Sequence, residues 1–351
     1  MKISQVSTSH ISTSLRASVA ELQAKYLVAH KESLTLRAAD MGLHLGNRTS
    51  EVLSLRAQFS QIGSIKQAND SIAIRMDTTQ AALTAIVTDA EDFLTQLIPM
   101  RDRTIGSDVV QDQAKTRLQA LMEILNTGLD GANMFSGINT QNKPIVDYYA
   151  SPTATNKVGI DTAFSAAFGG ITQDDPAVQN IDAATLQTFL DTDFAQKFEE
   201  PDWSAEWSDA SDSVRYDKIS LTERIPTSVT ANAEPVRKLV KAYAMIAELG
   251  INNMNDQAYG VIIDEATRLI GEAIPAIATL QAQLGNSQQR LEYANNKIDK
   301  QIALLNERVG EMEGVDGYEA QVRVNELKTR IETSYELTVR IQSLSLVNYL
   351  R

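Results

Sequence analysis

His10, His30 and His44 are the only imidazoles in the chain, and it has no cysteine. None of the three histidines has a second ligand at metal spacing on one helix face. His30, within "AHKES", has the form of a general base, but no nucleophile is fixed beside it. It reads as a solvated or interfacial side chain. The acidic pairs Asp174–Asp175 and Asp191–Asp193 offer hard oxygen ligands for calcium. The twelve-residue loop that would arrange such ligands is missing, so these read as solvated acids. "GNRTS" lacks the lysine and the preceding strand of a phosphate loop. "GANMFSG" lacks the serine-elbow spacing of hydrolases. "NRT" fits a glycosylation acceptor, but at a helix start Thr49 or Ser50 reads better as an N-cap. No catalytic, metal-ligating or cofactor-binding residue is therefore assigned from these segments, and no cofactor is expected.

Composition narrows the class further. At 351 residues the chain exceeds the usual size of one domain. Hydrophobic residues make up 43%, enough to fold, and the net charge is −13. That charge disfavours a nucleic-acid partner, which calls for a basic stripe, and an anionic membrane surface. The absence of cysteine excludes disulfides, thiolate metal sites and a cysteine nucleophile. "MKISQVSTSHISTSLRASVAEL" has no apolar core of signal-peptide length, and no stretch approaches the roughly 20 apolar residues of a membrane span. A cytoplasmic protein, or one exported without a cleaved signal, is expected.

The elements are dominated by helical periodicity. Ile62, Ile65, Asn69, Ile72, Met76, Thr79, Leu83, Ile86, Ala90, Phe93 and Leu97 alternate steps of three and four without a slip. This heptad stripe predicts one long helix whose seam tolerates the polar pair Asn69 and Thr79. Val52, Leu55 and Phe59 join it upstream after a stammer-like slip, and Pro99 is expected to end it. A weaker stripe, Ile11, Leu15, Val19, Leu22 and Tyr26, predicts a terminal helix, with Gly42 and Gly46 as breakers before the long one. A further helix is expected from about Ser107 to Leu125. In the C-terminal third, Leu269 through Met312 carries a similar pattern, with Pro275 expected to bend it or to open a first turn. Gly310, Gly314 and Gly317 interrupt it before a last helix through Val324, Leu327, Ile331, Thr338 and Ile341.

Between Gly137 and about Glu234 the periodicity collapses, although half of the aromatics lie there, among them Tyr148, Phe164, Phe189, Trp203 and Trp207. "VRYDKISLTERIPTSVTAN" reads as two short strands around a turn, with Pro226 near an edge. The predicted fold is mainly α. It is an elongated antiparallel helical bundle or coiled coil formed by the N- and C-terminal halves, with an inserted small α+β or mainly-β domain. The corresponding divisions are terminal helices at 1–45 and 315–351, a helical rod at 46–140 and 235–314, and a variable insert at 141–234. A helix of 50 residues is about 75 Å long, and a rod cannot bury every stripe internally. The terminal helices are therefore the candidate assembly surface, completed by neighbouring subunits. Its expected residues are Ile11, Leu15, Val19, Leu22, Leu327, Ile331, Ile341, Leu344 and Leu350.

Four segments in this order carry a resemblance: "MKISQVSTSHISTSL", "GANMFSGINTQNKPIVD", "GEMEGVDGYEAQVRVNEL" and "IQSLSLVNYLR". Together they resemble the flagellin superfamily, and most closely its hook–filament junction branch, over about residues 1–140 and 235–351. The chain departs from the family pattern in "LRAADMGLHLGNRTS", where only Asp40 stands in place of paired aspartates, which implies a divergent branch. The resemblance implies a non-enzymatic structural component of the bacterial flagellum, secreted through the flagellar type III channel and placed extracellularly at the hook–filament junction. The implied partners are further copies of itself in a ring, the other junction protein, flagellin, and an export chaperone on the C-terminal helix, with no nucleic acid and no membrane. A flagellin filament subunit is the alternative, followed by a secreted helical effector or enzyme with its chemistry in the middle domain.

Overall fold

The computed structural model describes residues 8–101, 103 and 106–349; the side chains of 8, 9, 11, 12 and 342–349 lie outside the described set. The chain divides into two compact units, Met1–Ser64 with Ile298–Arg351, and Ile65–Lys297.

The first unit is built from both ends of the chain. Helix α1 (Thr8–Thr35) leads through a short connector to α2 (Met41–Leu45), and α3 (Thr49–Met100) follows. Asp40 caps α2 by accepting from Leu43 N at 3.0 Å. Thr49 does not cap α3: its hydroxyl donates backwards to Gly46 O at 2.8 Å, because a 3-10 turn over Gly46–Arg48 already leads the chain into the helix. The end of α9 (Asp256–Glu313) and the whole of α10 (Gly317–Tyr349) complete this unit. The break between them falls at 314–316, so Gly310 lies inside α9 rather than ending it.

In the second unit the heptad stripe behaves as its spacing predicts. Every member from Asn69 to Leu97 is buried. Helix α3 runs antiparallel to α9, as shown by the contacts Asn69–Asn295, Asp77–Gln288 and Thr84–Gln281. Two prolines are absorbed. Pro99 lies in the last turn of α3, and Pro275 sits inside α9 rather than opening it. Its ring frees the carbonyl four residues back. That carbonyl belongs to Gly271, which is exposed and open to water. Helix α4 (Ser107–Leu125) follows its predicted bounds and buries Val110, Ala114, Leu118, Leu121 and Leu125.

The middle of the chain contributes the α+β part. Strands β1 (Gly128–Leu129) and β2 (Ala132–Asn133) pair antiparallel across Asp130-Gly131, both with positive φ. Helices α5 (Thr155–Ala167), α6 (Ala183–Asp191) and α7 (Asp193–Gln196) come next, followed by a π turn over Trp203–Trp207. Strands β3 (Tyr216–Lys218) and β4 (Arg224–Pro226) pair antiparallel, with Tyr216 opposite Pro226, and α8 (Glu234–Glu248) closes the segment. A run of touching rings, Phe164, Phe189, Phe194, Phe198, Trp207 and Trp203, ties these pieces together at centroid separations of 5.0–5.8 Å. These rings share one buried cluster with α3, α4, α8 and α9.

Candidate assembly interface

The residues expected to form the assembly surface lie on the helix pair α1 and α10. Leu15, Val19, Leu22, Tyr26 and Ala29 recur at three- and four-residue steps and share one face of α1. Ala320, Val324, Leu327 and Ile331 do the same on α10. The pair packs antiparallel. Leu22 and Tyr26 lie against a small core of Ala29, Val324 and Leu327. Gln23 Nε2 donates to the Tyr335 hydroxyl at 2.7 Å, and Arg323 reaches Glu32 at 3.3 Å. A fully buried aliphatic side chain contributes about 1.5–3 kcal/mol. Val19, Ala29, Ala320, Val324 and Leu327 are buried in this narrow seam, while Leu15, Leu22, Tyr26 and Ile331 are half-buried.

Among the expected interface residues, Val19 and Leu327 are buried in this seam, and Leu15, Leu22, Ile331 and Ile341 are half-buried. Leu350 and the side chains of Ile11 and Leu344 lie outside the described residues. A second apolar set was not anticipated. Leu27 is 68% exposed and Leu34 72% exposed. They stand seven residues apart on α1, away from the buried face, and the seven-residue step was the readable signal. On α10, Val322, Tyr335, Leu337 and Val339 are likewise exposed. Isolated surface apolar groups are ordinary; Leu27 and Leu34 share one face of α1, whereas these four exposed side chains of α10 are spread around that helix.

Two of the four acidic candidates, Asp175 and Asp191, hold hydrogen bonds within their own segments. Asp175 accepts from Ala177 N at 2.8 Å, and Gln187 donates to Asp191 at 3.1 Å. The exposed Asp182 caps α6, and its hydrogen bonds from Thr185 hold its carboxyl below the ordinary value. His10, His30 and His44 are exposed, and the His30 ring lies 5.8 Å from that of Tyr26. Among the described residues no group of three histidine or acidic side chains is disposed to hold a metal ion. No helix among them is long and apolar enough to cross a membrane.

The two ends of the chain carry the family likeness. Residues 6–140 match the bacterial flagellin N-terminal helical region, and residues 267–350 match the bacterial flagellin C-terminal helical region. No curated protein matches the chain. Among solved structures it is similar to a protein from Vibrio parahaemolyticus assigned as flagellar hook-associated. The identity is 9% and the TM-score 0.50, over 76% of this chain and 97% of that one. That likeness concerns the fold. With flagellin regions matched at both ends, over more than half of its length, the chain belongs to the flagellin superfamily and is a structural protein of the bacterial flagellum.

Proposed function

We propose that this chain is an extracellular adaptor at the hook–filament junction, exported through the flagellar channel and assembled through α1 and α10 into a ring of copies. The observation that carries this reading is the exposed apolar set on the terminal pair, Leu27 and Leu34 above all, which the chain itself leaves uncovered. The hook-associated assignment of the Vibrio parahaemolyticus protein of similar fold is in keeping with a position near the hook. The expected neighbours are flagellin on one side and the other junction protein on the other, with an export chaperone guarding α10 beforehand. The half-buried seam residues Leu15, Leu22, Ile331 and Ile341 complete the interface when copies meet. The protein has no enzymatic role in this scheme.

The flagellin regions at both ends also favour a second reading, a filament subunit. Gene deletion separates the two. Loss of a junction adaptor leaves bare hooks while flagellin is shed into the medium. Loss of a filament subunit leaves hooks already carrying their junction proteins. The interface is tested by the double substitution Leu27→Asp with Leu34→Asp, which touches no buried side chain. The variant should be exported and folded yet absent from sheared flagella; normal incorporation would remove these two leucines from the interface.

A further inference from the structure

The connector between α1 and α2 crosses the connector between α9 and α10, and the crossing has features of a device. Arg37 and Gly314 form an isolated antiparallel bridge. Ala38 N donates to Glu313 O at 3.0 Å, and Val315 N donates to Leu36 O at 3.1 Å. Leu36 adopts φ 53°, the left-handed region. For a residue with a Cβ this conformation is strained, and such strain persists only where the surroundings over-determine it. Leu36 is 54% exposed, so burial of its side chain does not explain the conformation.

The surroundings that hold it are charged. The Glu313 side chain is 1% exposed. Arg56 Nη2 lies 2.6 Å from one of its oxygens, and Arg37 Nη1 lies 4.0 Å from the other. Neither carboxylate oxygen has a well-aligned hydrogen-bond donor, so the buried charge rests on the two guanidinium groups. Breaking such a pair by removing one partner is strongly destabilising locally, because it strands a charge in a poorly solvated place. A second carboxylate reinforces the crossing. Glu32 accepts from Ala39 N at 3.0 Å and pairs with Arg323 from α10.

We propose that this crossing is a spring-loaded latch. Glu313, clamped by Arg56 and Arg37, keeps residues 36–38 paired with 313–315 and holds Leu36 in its strained form. When the clamp opens, Leu36 relaxes and the root of the α1/α10 pair is freed from the ends of α3 and α9. The latch thus sets how firmly the terminal pair is held at its root. The inference is independent of which flagellar position the protein occupies.

Amide exchange in the monomeric full-length protein tests it, read at Ala38, Ala39 and Val315 against the α8 amides as an internal standard. Glu313→Gln should accelerate exchange at these three amides by ten-fold or more while α8 is unmoved. Arg56→Gln should act in the same direction, and the double variant should do no more than the larger single, because both break one clamp. Leu36→Gly removes the left-handed penalty, so adding it to Glu313→Gln should recover at least three-fold of the lost protection. Unchanged connector exchange in Arg56→Gln, or further loosening by Leu36→Gly, overturns the proposal. Should Glu313→Gln unfold the chain, the exposed Arg56 and the Leu36→Gly variant alone decide the matter: the first must loosen the connector and the second must tighten it.

Discussion

Asn69 on α3 donates its side-chain amide to Asn295 Oδ1 on α9 at 2.8 Å, from a fully buried position in a seam whose other polar member is Thr79. The same amide reaches Ile219 O, just beyond β3, at 2.9 Å. One polar side chain therefore fixes the register of α3 against α9 and anchors the hairpin to both. A single polar group at a core heptad position is a known way to specify register at some loss of stability. Asn69→Leu leaves the buried Ile219 carbonyl and the half-buried Asn295 Oδ1 without their donor. It should destabilise the protein by about 1–3 kcal/mol, measured by urea denaturation. Pairing it with Asn295→Leu should recover part of that loss, since one orphaned acceptor disappears. A stabilised Asn69→Leu would show that the amide contributes specificity alone.

"GANMFSG" bears on the family likeness, and its last glycine has a physical reason. Gly137 has φ 62°, and a Cβ there would stand 2.6 Å from the carbonyl oxygens of Ser211 and Ser213. Gly250 is similar, with φ 72° and the Gln173 carbonyl oxygen in the space an added Cβ would fill. Backbone atoms cannot swing aside as a side chain can. Alanine at either position adds a left-handed penalty of about 1–2 kcal/mol to a packing clash of about 1–3 kcal/mol. Thermal unfolding should show both variants well below the parent. Gly271→Ala is the control: it lies exposed inside α9 with nothing within 4 Å of an added Cβ. Helix propensity favours alanine there by up to about 1 kcal/mol, so its Tm should rise.

The long helices were readable because a sustained three-four spacing has few alternatives: a stripe from Ile62 to Leu97 cannot be sorted onto one face of anything but a helix. The bounds of α4 and the hairpin around Pro226 were readable for similar local reasons. The Asp130-Gly131 hairpin was also readable, as a turn dipeptide, but was passed over. The middle helices α5 and α6 were passed over because they are short, although Ile160 with Phe164 and Leu186 with Phe189 and Leu190 keep helical spacing on one face. Pro99 ends α3 to within one residue, as its local rule predicts, whereas Pro275 lies inside α9, where the carbonyl it frees belongs to the exposed Gly271. The seam residues of the terminal pair were visible in the spacing, whereas the burial of Glu32 and Glu313 depends on contacts nearly three hundred residues apart, which no local pattern reports.

Lys241 on α8 supplies a prediction about pH. It lines a cleft with Glu199, Glu234, Arg237, Lys238, Arg268 and Glu272. The other cations there are paired, Arg237 with Glu199, Lys238 with Glu234 and Glu272, and Arg268 with Glu265 and Glu272. Burial lowers the Lys241 pKa from the ordinary lysine value, and the neighbouring Arg268 lowers it further against the attraction of Glu265, Asp191 and Glu199. The unfolded chain holds this proton up to the ordinary lysine range. Between the lowered folded value and the unfolded one, the unfolded state therefore binds more protons, and stability contributed by this site rises with pH. Below that window the lysine is charged in both states and its burial penalty is fully present. Lys241→Met, which keeps the stem and drops the charge, should raise Tm at neutral pH. The difference between variant and parent should shrink as pH climbs towards the lysine range. A difference that stays constant across that climb would mean that packing, rather than the buried charge, sets the effect.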